Sequence, residues 1–397
     1  MLYPAERMAN TFRESVRPTR GVRRHNNMVN HMNESFTLLA IILFAIGLLF
    51  EIAYIATIRA NMRGGHVSGV PLFAGIFFCL ALAAFPPTRG YWFLGIFADI
   101  SIYGIIRSFI YDIKNRKYNG IFRVTVLADN KECEGFGCEH GLSLFIEHGC
   151  KKILLDAGRS DLFYENAEKL GIDLSLVDYA VLSHSHYDHA DGFEKFFEVN
   201  NKAPLYVRKE AGEIYYSHHD DGLKYIGPKQ GMLEKYKNRI RYVDGEYETL
   251  GSWDRILLPH NTENLSEIGD KAKLYRKESG KLMPDDFSHE QTLVLGSAKG
   301  IVIFNSCSHA GAANIIKEVM DYYSGYTQKV KVYAYIGGFH LFKSSDEDIL
   351  KFAETLKEVD CQRIITGHCT GDHAYEMLHA ELGDRVEQMH SGMVIEL

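Results

Sequence analysis

Residues 183–192 read Ser-His-Ser-His-Tyr-Asp-His-Ala-Asp-Gly, directly after the apolar run Tyr179-Ala-Val-Leu182. A run of that length and composition is a short buried strand. Side chains two apart in an extended backbone share a face, so His184 and His186 can reach one cation together. Asp188 and His189 fall where the chain turns into the next helix. They can face a second cation about 3.5–4 Å away, the usual spacing of two-metal sites. Such a ligand set at a strand end demands an architecture in which several strand ends gather at one edge of a sheet.

The surrounding pattern supplies the strands. Alternation or apolar runs predict strands over 122–129, 142–147, 152–156, 179–183, 204–207, 291–296, 300–305, 330–336 and 362–366. Helical spacing covers 162–170, 312–323, 347–359 and 373–382. Strands in succession followed by strand–helix alternation predict packed sheets with helices outside, an α/β layered fold. Residues 210–285, rich in Tyr, Lys and His, read as an irregular insertion with little period, and as a substrate lid. In it Tyr215, Tyr216, Tyr225, Tyr236 and Tyr242 are candidates for stacking on a planar ring. Arg208, Lys209, Lys224 and Lys229 are candidates for attracting phosphate.

The first third has a different character. Residues 1–34 are polar and carry Arg7, Arg13, Arg17, Arg20, Arg23 and Arg24. A span needs roughly 20 apolar residues, and 36–57 meets that length, interrupted by Glu51 near its end, where snorkelling is expected. A second span is expected over about 69–86, closed by Pro86-Pro87. The segment 91–113 is read as a third helix, spanning or interfacial, with Asp99, Tyr103 and Arg107 as a polar stripe at helical spacing. The division is therefore a basic N-terminus (1–34), an all-α transmembrane segment (35–113) and a soluble domain (118–397). Arginines before the first span, and Lys114, Arg116 and Lys117 after the third segment, favour the cytoplasm for both ends. That places the soluble domain on the cytoplasmic side. Seven cysteines without regular spacing suit a reducing compartment. A net charge of −7 gives no global field for nucleic acid, and none is expected as a partner.

Three later histidines each end a strand: His309 after 301–305, His340 after 332–337 and His368 after 364–366. Glycines beside them permit close backbone approach, and convergence on 184–189 is expected. After Thr370-Gly371-Asp372, the start of the 373–382 helix offers backbone N–H groups to a phosphate. Ordinary capping by Thr370 or Asp372 is the competing reading.

Several ordered stretches resemble the metallo-β-lactamase fold, in its branch named after dihydropterin-aminobenzene-ribofuranosyl-phosphate synthase. They are Glu139-His-Gly-Leu-Ser143, Leu155-Asp-Ala-Gly158, 166–174, 183–192, His289-Glu-Gln291, Ser306-Cys-Ser-His-Ala-Gly311, Gly337-Gly-Phe-His340 and Gly367-His-Cys-Thr-Gly371. The resemblance covers roughly 121–397 and implies an αββα sandwich with a dinuclear metal cleft. It implies His184, His186, Asp188, His189 and His368 as ligands. The superfamily's bridging Asp aligns near Cys307, so either Cys307 or His309 replaces it, and His309 is preferred. His289 fits the superfamily's middle histidine as a further candidate ligand, and His340 is placed beside the metals touching substrate. Two divalent cations would bring water's pKa from 15.7 toward about 7, with Asp188 orienting the nucleophile. The mixed His/Asp set suits zinc, with manganese or iron as alternatives. The expected activity is a membrane-tethered dinuclear metal-dependent hydrolase of a phosphoester or related small metabolite. The alternatives are a pterin-phosphate condensing transferase, a di-iron redox protein and a non-catalytic metal-binding sensory module.

Overall fold

The computed structural model describes residues 20–61, 73–99, 101–103, 106, 121–260, 271–325 and 330–397. The chain divides into two compact units, 1–116 and 117–397.

In the first unit, α1 (Arg20–Asn61) contains the apolar stretch His31–Thr57, 27 residues of mean hydropathy 2.6. Among the described residues this is the one helix long and apolar enough to cross a membrane. The second expected span corresponds to α2 (Phe73–Ala84), which has 12 residues. At 1.5 Å per residue these described residues rise about 18 Å, against a bilayer core of about 30 Å. Phe44 meets Phe78 at 5.2 Å, and Phe50 stacks on Phe77 at 5.4 Å. The third segment is not one α-helix. Pro86–Ala98 is a 3-10 helix broken at Tyr91, and Asp99 is extended. Residues 101–103 are helical again. Asp99 is buried, accepting from Gly75 N at 2.8 Å and from Ser101 N at 2.9 Å. Arg107 and residues 69–72 and 107–113 lie outside the described residues. Glu51 is covered at 9% exposure instead of reaching outward.

The second unit runs β1 (Phe122–Ala128), β2 (Ser143–His148), β3 (Lys151–Leu155), α3 (Leu162–Lys169), β4 (Tyr179–Val181), α4 (Tyr187–Ala190), α5 (Phe193–Val199), β5 (Leu205–Arg208), β6 (Tyr215–His219), β7 (Gly222–Tyr225), β8 (Ile240–Val243), β9 (Glu248–Thr249) and β10 (Arg255–Pro259). It continues with β11 (Leu274–Glu278), β12 (Lys281–Pro284), β13 (Gln291–Ser297), β14 (Gly300–Phe304), α6 (Ala312–Ser324), β15 (Val332–Gly337), α7 (Asp346–Glu358), β16 (Arg363–Thr366), α8 (Asp372–Leu382), β17 (Val386–Gln388) and β18 (Val394–Glu396). One seven-stranded sheet has the order β18-β1-β2-β3-β4-β5-β8, and a second has β17-β16-β15-β14-β13-β10-β9. Each is antiparallel at one end and parallel at the other.

Alternation along the strands decides what each face buries. Ile153 and Leu155 of β3 point between the sheets with Val124, Val126 and Val181. They meet Leu293, Leu295, Val302, Phe304 and Ile336 of the second sheet. Leu154 points outward, under Phe163 of α3 and Phe193 and Phe196 of α5. Ile301, Ile303 and Tyr335 point to the opposite outer face, under Ile315 and Val319 of α6, Phe352 and Leu356 of α7 and Leu378 of α8. The result is the αββα sandwich. α7 starts cleanly because the Ser345 hydroxyl accepts from Asp348 N and three acidic residues fill its first turn.

The 210–285 region is not irregular. β8 and β10 are integral to the two main sheets, and β6, β7, β11 and β12 form a four-stranded antiparallel sheet, order β12-β11-β6-β7. Its candidate phosphate-attracting residues pair locally. Lys209 binds Asp244 at 2.7 Å, Lys224 binds Asp221 at 3.1 Å and Lys229 binds Glu194 at 3.4 Å. Arg208 binds Glu210 at 2.8 Å and donates to Val243 O at 2.6 Å. Of the tyrosines, Tyr236 stacks on Phe197 at 4.3 Å, Tyr216 meets Tyr225 edge-on at 5.5 Å and Tyr242 is exposed. Tyr215 alone of these is packed against the histidine cluster described below.

The parallel strands β3, β4, β14, β15 and β16 end at one edge, where the chain leaves them through tight loops. At the β15 exit, Gly337 has φ +143°, and a Cβ there would lie 1.8 Å from Asn305 O. Gly337→Ala must displace the backbone of two adjacent loops. It is expected to lower unfolding free energy by about 3 kcal/mol or more, read as a shift of the urea midpoint.

Candidate metal centre

His184, His186, Asp188 and His189 follow β4 and enter α4, and all four are buried. Asp156, at the end of β3 with φ +57°, holds this loop. Its carboxylate accepts from Ser183 N at 2.7 Å, Ser183 Oγ at 2.6 Å and His189 Nδ1 at 2.7 Å. Because the Ser183 hydroxyl is spent on Asp156, its oxygen accepts from His184 Nδ1 at 2.8 Å. These bonds hold both rings by Nδ1 and leave Nε2 facing inward, the usual arrangement of ligating histidines.

His309, after β14, joins His184 and His186. Its ring lies 4.8 Å and 4.9 Å from theirs, and theirs are 4.6 Å apart. His184 Nε2, His186 Nε2 and both nitrogens of His309 are buried without a hydrogen-bond partner. Each such atom costs about 1–3 kcal/mol if left unsatisfied. Several around one point are what a cation-binding pocket requires.

A second group lies beside the first. Asp188 Oδ2 is 3.6 Å from both His189 Nε2 and His368 Nε2, which are 3.1 Å from each other. His368, with φ +45°, is held by its N–H to Asp129 at 2.9 Å and its Nδ1 to Asn130 Oδ1 at 3.0 Å. His140 Nε2 reaches Asp188 Oδ2 at 3.2 Å, and Asn130 donates to its Nδ1 at 3.2 Å.

Cys307 lies between the groups. Its sulfur clusters with His184 and His309 on one side and with His189 and His368 on the other, donor atoms within 4.8 Å of one another in each set. His309, the preferred occupant of the bridging position in the sequence, lies with His184 and Cys307 in the first set. Ser308 has φ +55°, so the residues on either side of it do not share a face as they would in a strand.

His289, the further candidate ligand, lies behind the motif loop. Its Nδ1 accepts from Ser185 N at 2.9 Å, and its Nε2 donates to Asp285 at 3.1 Å. Both nitrogens are committed, so it props the motif loop from behind, with the Tyr215 ring 4.0 Å away. His340, with φ +49°, lies at the rim, its ring 4.4 Å from His309 and its Nδ1 unpartnered. The start of α8 has no side-chain cap. Thr370 Oγ1 instead accepts from Phe339 N at 3.0 Å.

The electrostatics suit a cation. Burial holds His184 and His309 well below the usual imidazole range, and takes His186 down to about 3 and His368 to about 4. These rings are neutral at pH 7, with lone pairs available. Burial acts the same way on His189, but Asp188 and Asp156 outweigh it and raise that ring to about 9. Burial would raise Asp188, but His189 and the His140 hydrogen bond outweigh it and hold the carboxyl well below its ordinary range. The pocket therefore favours positive charge beside two carboxylates.

Sequence reasoning did not assign Asp156, His140, Asn130 or Asp285. The first two stand inside the resembling stretches 155–158 and 139–143, where their motifs were the available signal. Asp156→Asn removes the acceptor that orients His189 and Ser183. Metal affinity is expected to fall about 10–100-fold, measured by competition with a chromogenic chelator.

Known proteins share this fold. Residues 136–271 match the metallo-β-lactamase superfamily domain. The 7,8-dihydropterin-6-methyl-4-(beta-D-ribofuranosyl)-aminobenzene-5′-phosphate synthase of Methanocaldococcus jannaschii is 32% identical over 278 residues, 66% of this chain and 91% of that protein. An uncharacterized protein of the same organism is 30% identical over 271 residues, 64% of this chain and 93% of that one. A crystal structure of a metal-dependent hydrolase of the β-lactamase superfamily aligns with a TM-score of 0.60 at 30% identity, covering 70% of this chain and 99% of its own. Likeness along nearly the whole of these relatives, on a shared sandwich, places the chain in the metallo-β-lactamase superfamily, homologous to its dihydropterin-aminobenzene-ribofuranosyl-phosphate synthase branch.

Proposed function

We propose that the chain is a dinuclear metal-dependent hydrolase acting on a phosphoester or a related small phosphorylated metabolite. The observation that carries this reading is the set of buried, unpartnered imidazole nitrogens of His184, His186 and His309 beside the carboxylate of Asp188. The residues fit a pair of divalent cations. His184, His186 and His309 would hold one, and Asp188, His189 and His368 the other, with Cys307 between them. Zinc suits the imidazole and thiol donors, with manganese or iron as alternatives. When bound, such cations polarise a phosphoryl oxygen and supply a nucleophile at neutral pH.

The chain's own groups do the rest. Asp188 accepts a hydrogen bond from the attacking group and orients it. Asp156 and Asn130 keep the ligating rings in the tautomer that faces inward. His340, at the rim with a free Nδ1, donates to the leaving group or to a substrate oxygen. The buried Tyr215–His289 pair closes the back of the cleft to water.

A second reading, a pterin-phosphate condensing transferase, is favoured by the 32% identity to the methanogen synthase. Assaying the metal-loaded full chain against a phosphomonoester and phosphodiester panel, and in parallel for pterin–aminobenzene condensation, separates the two. Metal-dependent release of phosphate or alcohol supports the first. Condensation without ester cleavage replaces it with the second.

We further propose that His31–Thr57 tethers the protein to a membrane, with the metal domain in the cytoplasm. All seven cysteines are free, which suits a reducing compartment. The full chain is expected in the membrane fraction, with a reporter after Leu397 active on the cytoplasmic side only. An external reporter contradicts the placement.

A further inference from the structure

We infer that Cys307 and Cys369 form a dithiol which a small peroxide closes into a disulfide, withdrawing the central sulfur from the metal pocket. Both thiols are free and buried. Their sulfurs lie within 4.8 Å of each other and of a His340 ring nitrogen. Cys369 Sγ also approaches Cys307 O at 3.6 Å and accepts from His340 N at 3.3 Å, a contact that favours negative charge on sulfur. The fold makes room for this sulfur specifically, since a Cβ at Gly338 would lie 2.6 Å from it. Cys361, by contrast, is also buried but donates to Arg363 O at 3.4 Å, away from the cluster.

A disulfide needs its sulfurs about 2.05 Å apart. Cys369 sits in a short loop between Gly367 and Gly371, where rotation about its side chain and a modest backbone shift close the gap. Burial selects the oxidant, because a water-sized hydroperoxide enters where a bulky disulfide does not. The Cys369 sulfur attacks one peroxide oxygen. The O–O bond breaks, water leaves with the thiol proton, and a sulfenic acid remains. The Cys307 sulfur then attacks Cys369. The S–O bond breaks, and a second water leaves, its proton coming from the Cys307 thiol where that is free or from solvent where Cys307 would be a metal-bound thiolate. The two thiols lose two electrons, and the peroxide gains them.

Withdrawal of a ligand shared by both groups lowers affinity for both cations, and this consequence rests on the proposed dinuclear site. The test treats the metal-loaded full chain with hydrogen peroxide. Expected are a Cys307–Cys369 cross-linked peptide by mass spectrometry, loss of two hydrogens in mass and metal release. Activity is expected to fall roughly tenfold or more, with recovery on dithiothreitol and metal. Cys369→Ser is expected to keep metal and activity under the same dose.

Absence of the cross-linked peptide, or equal inactivation of Cys369→Ser, overturns the inference. Cross-linking without metal release overturns the coupling to the metal centre. A chain that binds no metal but still cross-links refutes the dinuclear reading and leaves the dithiol standing, so the two failures are distinguishable. Peptide mapping of the wild-type chain decides the matter even where Cys369→Ser folds poorly.

Discussion

Asp188→Asn is expected to abolish turnover while leaving the fold intact. Asp188 lies 3.6 Å from both His189 Nε2 and His368 Nε2, and it is the acidic member of that group. The amide keeps the side chain's size but removes the negative charge that a cation there needs. Metal-ion stabilisation of transition-state charge is worth several kcal/mol. At 1.36 kcal/mol per tenfold, a loss of about 4 kcal/mol lowers kcat/KM roughly a thousandfold. Metal content is expected to fall from about two to about one per chain. Unchanged turnover in the variant removes the proposed mechanism. The urea midpoint provides the control for folding.

Cys307→Ala is expected to produce the other large effect, and a different pattern. Its sulfur belongs to both donor groups, whereas His309 lies with His184 and His186 in the first. Loss of Cys307 is therefore expected to weaken both cations, about 10–100-fold each. His309→Ala is expected to empty one site and spare the other. Titration of the two variants with zinc, followed calorimetrically, separates these outcomes. A Cys307→Ala chain that retains both cations at full affinity contradicts the bridging position, and returns that role to His309.

The sandwich was legible because its strands obey simple alternation. Ile153 and Leu155 face one core and Leu154 the other, as the period of two requires. The motif 183–192 was legible because its ligands are close in sequence. What escaped was set by contacts over long separations or by local backbone reversal. His289 looks like a ligand until Ser185 N and Asp285 are seen to claim both nitrogens. Cys307 and His309 cannot be ranked by spacing, because a left-handed Ser308 lies between them. In 210–285, β7 reads Gly-Leu-Lys-Tyr and β11 Leu-Tyr-Arg-Lys-Glu. These short strands lie in a small third sheet and are largely solvent-facing, so they carry little hydrophobic period. The start of the segment read as a helix over 91–113 differs from a regular α-helix because Pro86-Pro87 opens a 3-10 run kinked at Tyr91.

The most direct test is a crystal structure of the full chain grown with zinc, with anomalous difference maps collected at the metal edge. The account predicts one peak bounded by His184, His186 and His309, and a second bounded by Asp188, His189 and His368, with the Cys307 sulfur between. Maps with no peak in this pocket, or with a single peak on the His289–Asp285 pair, would contradict it.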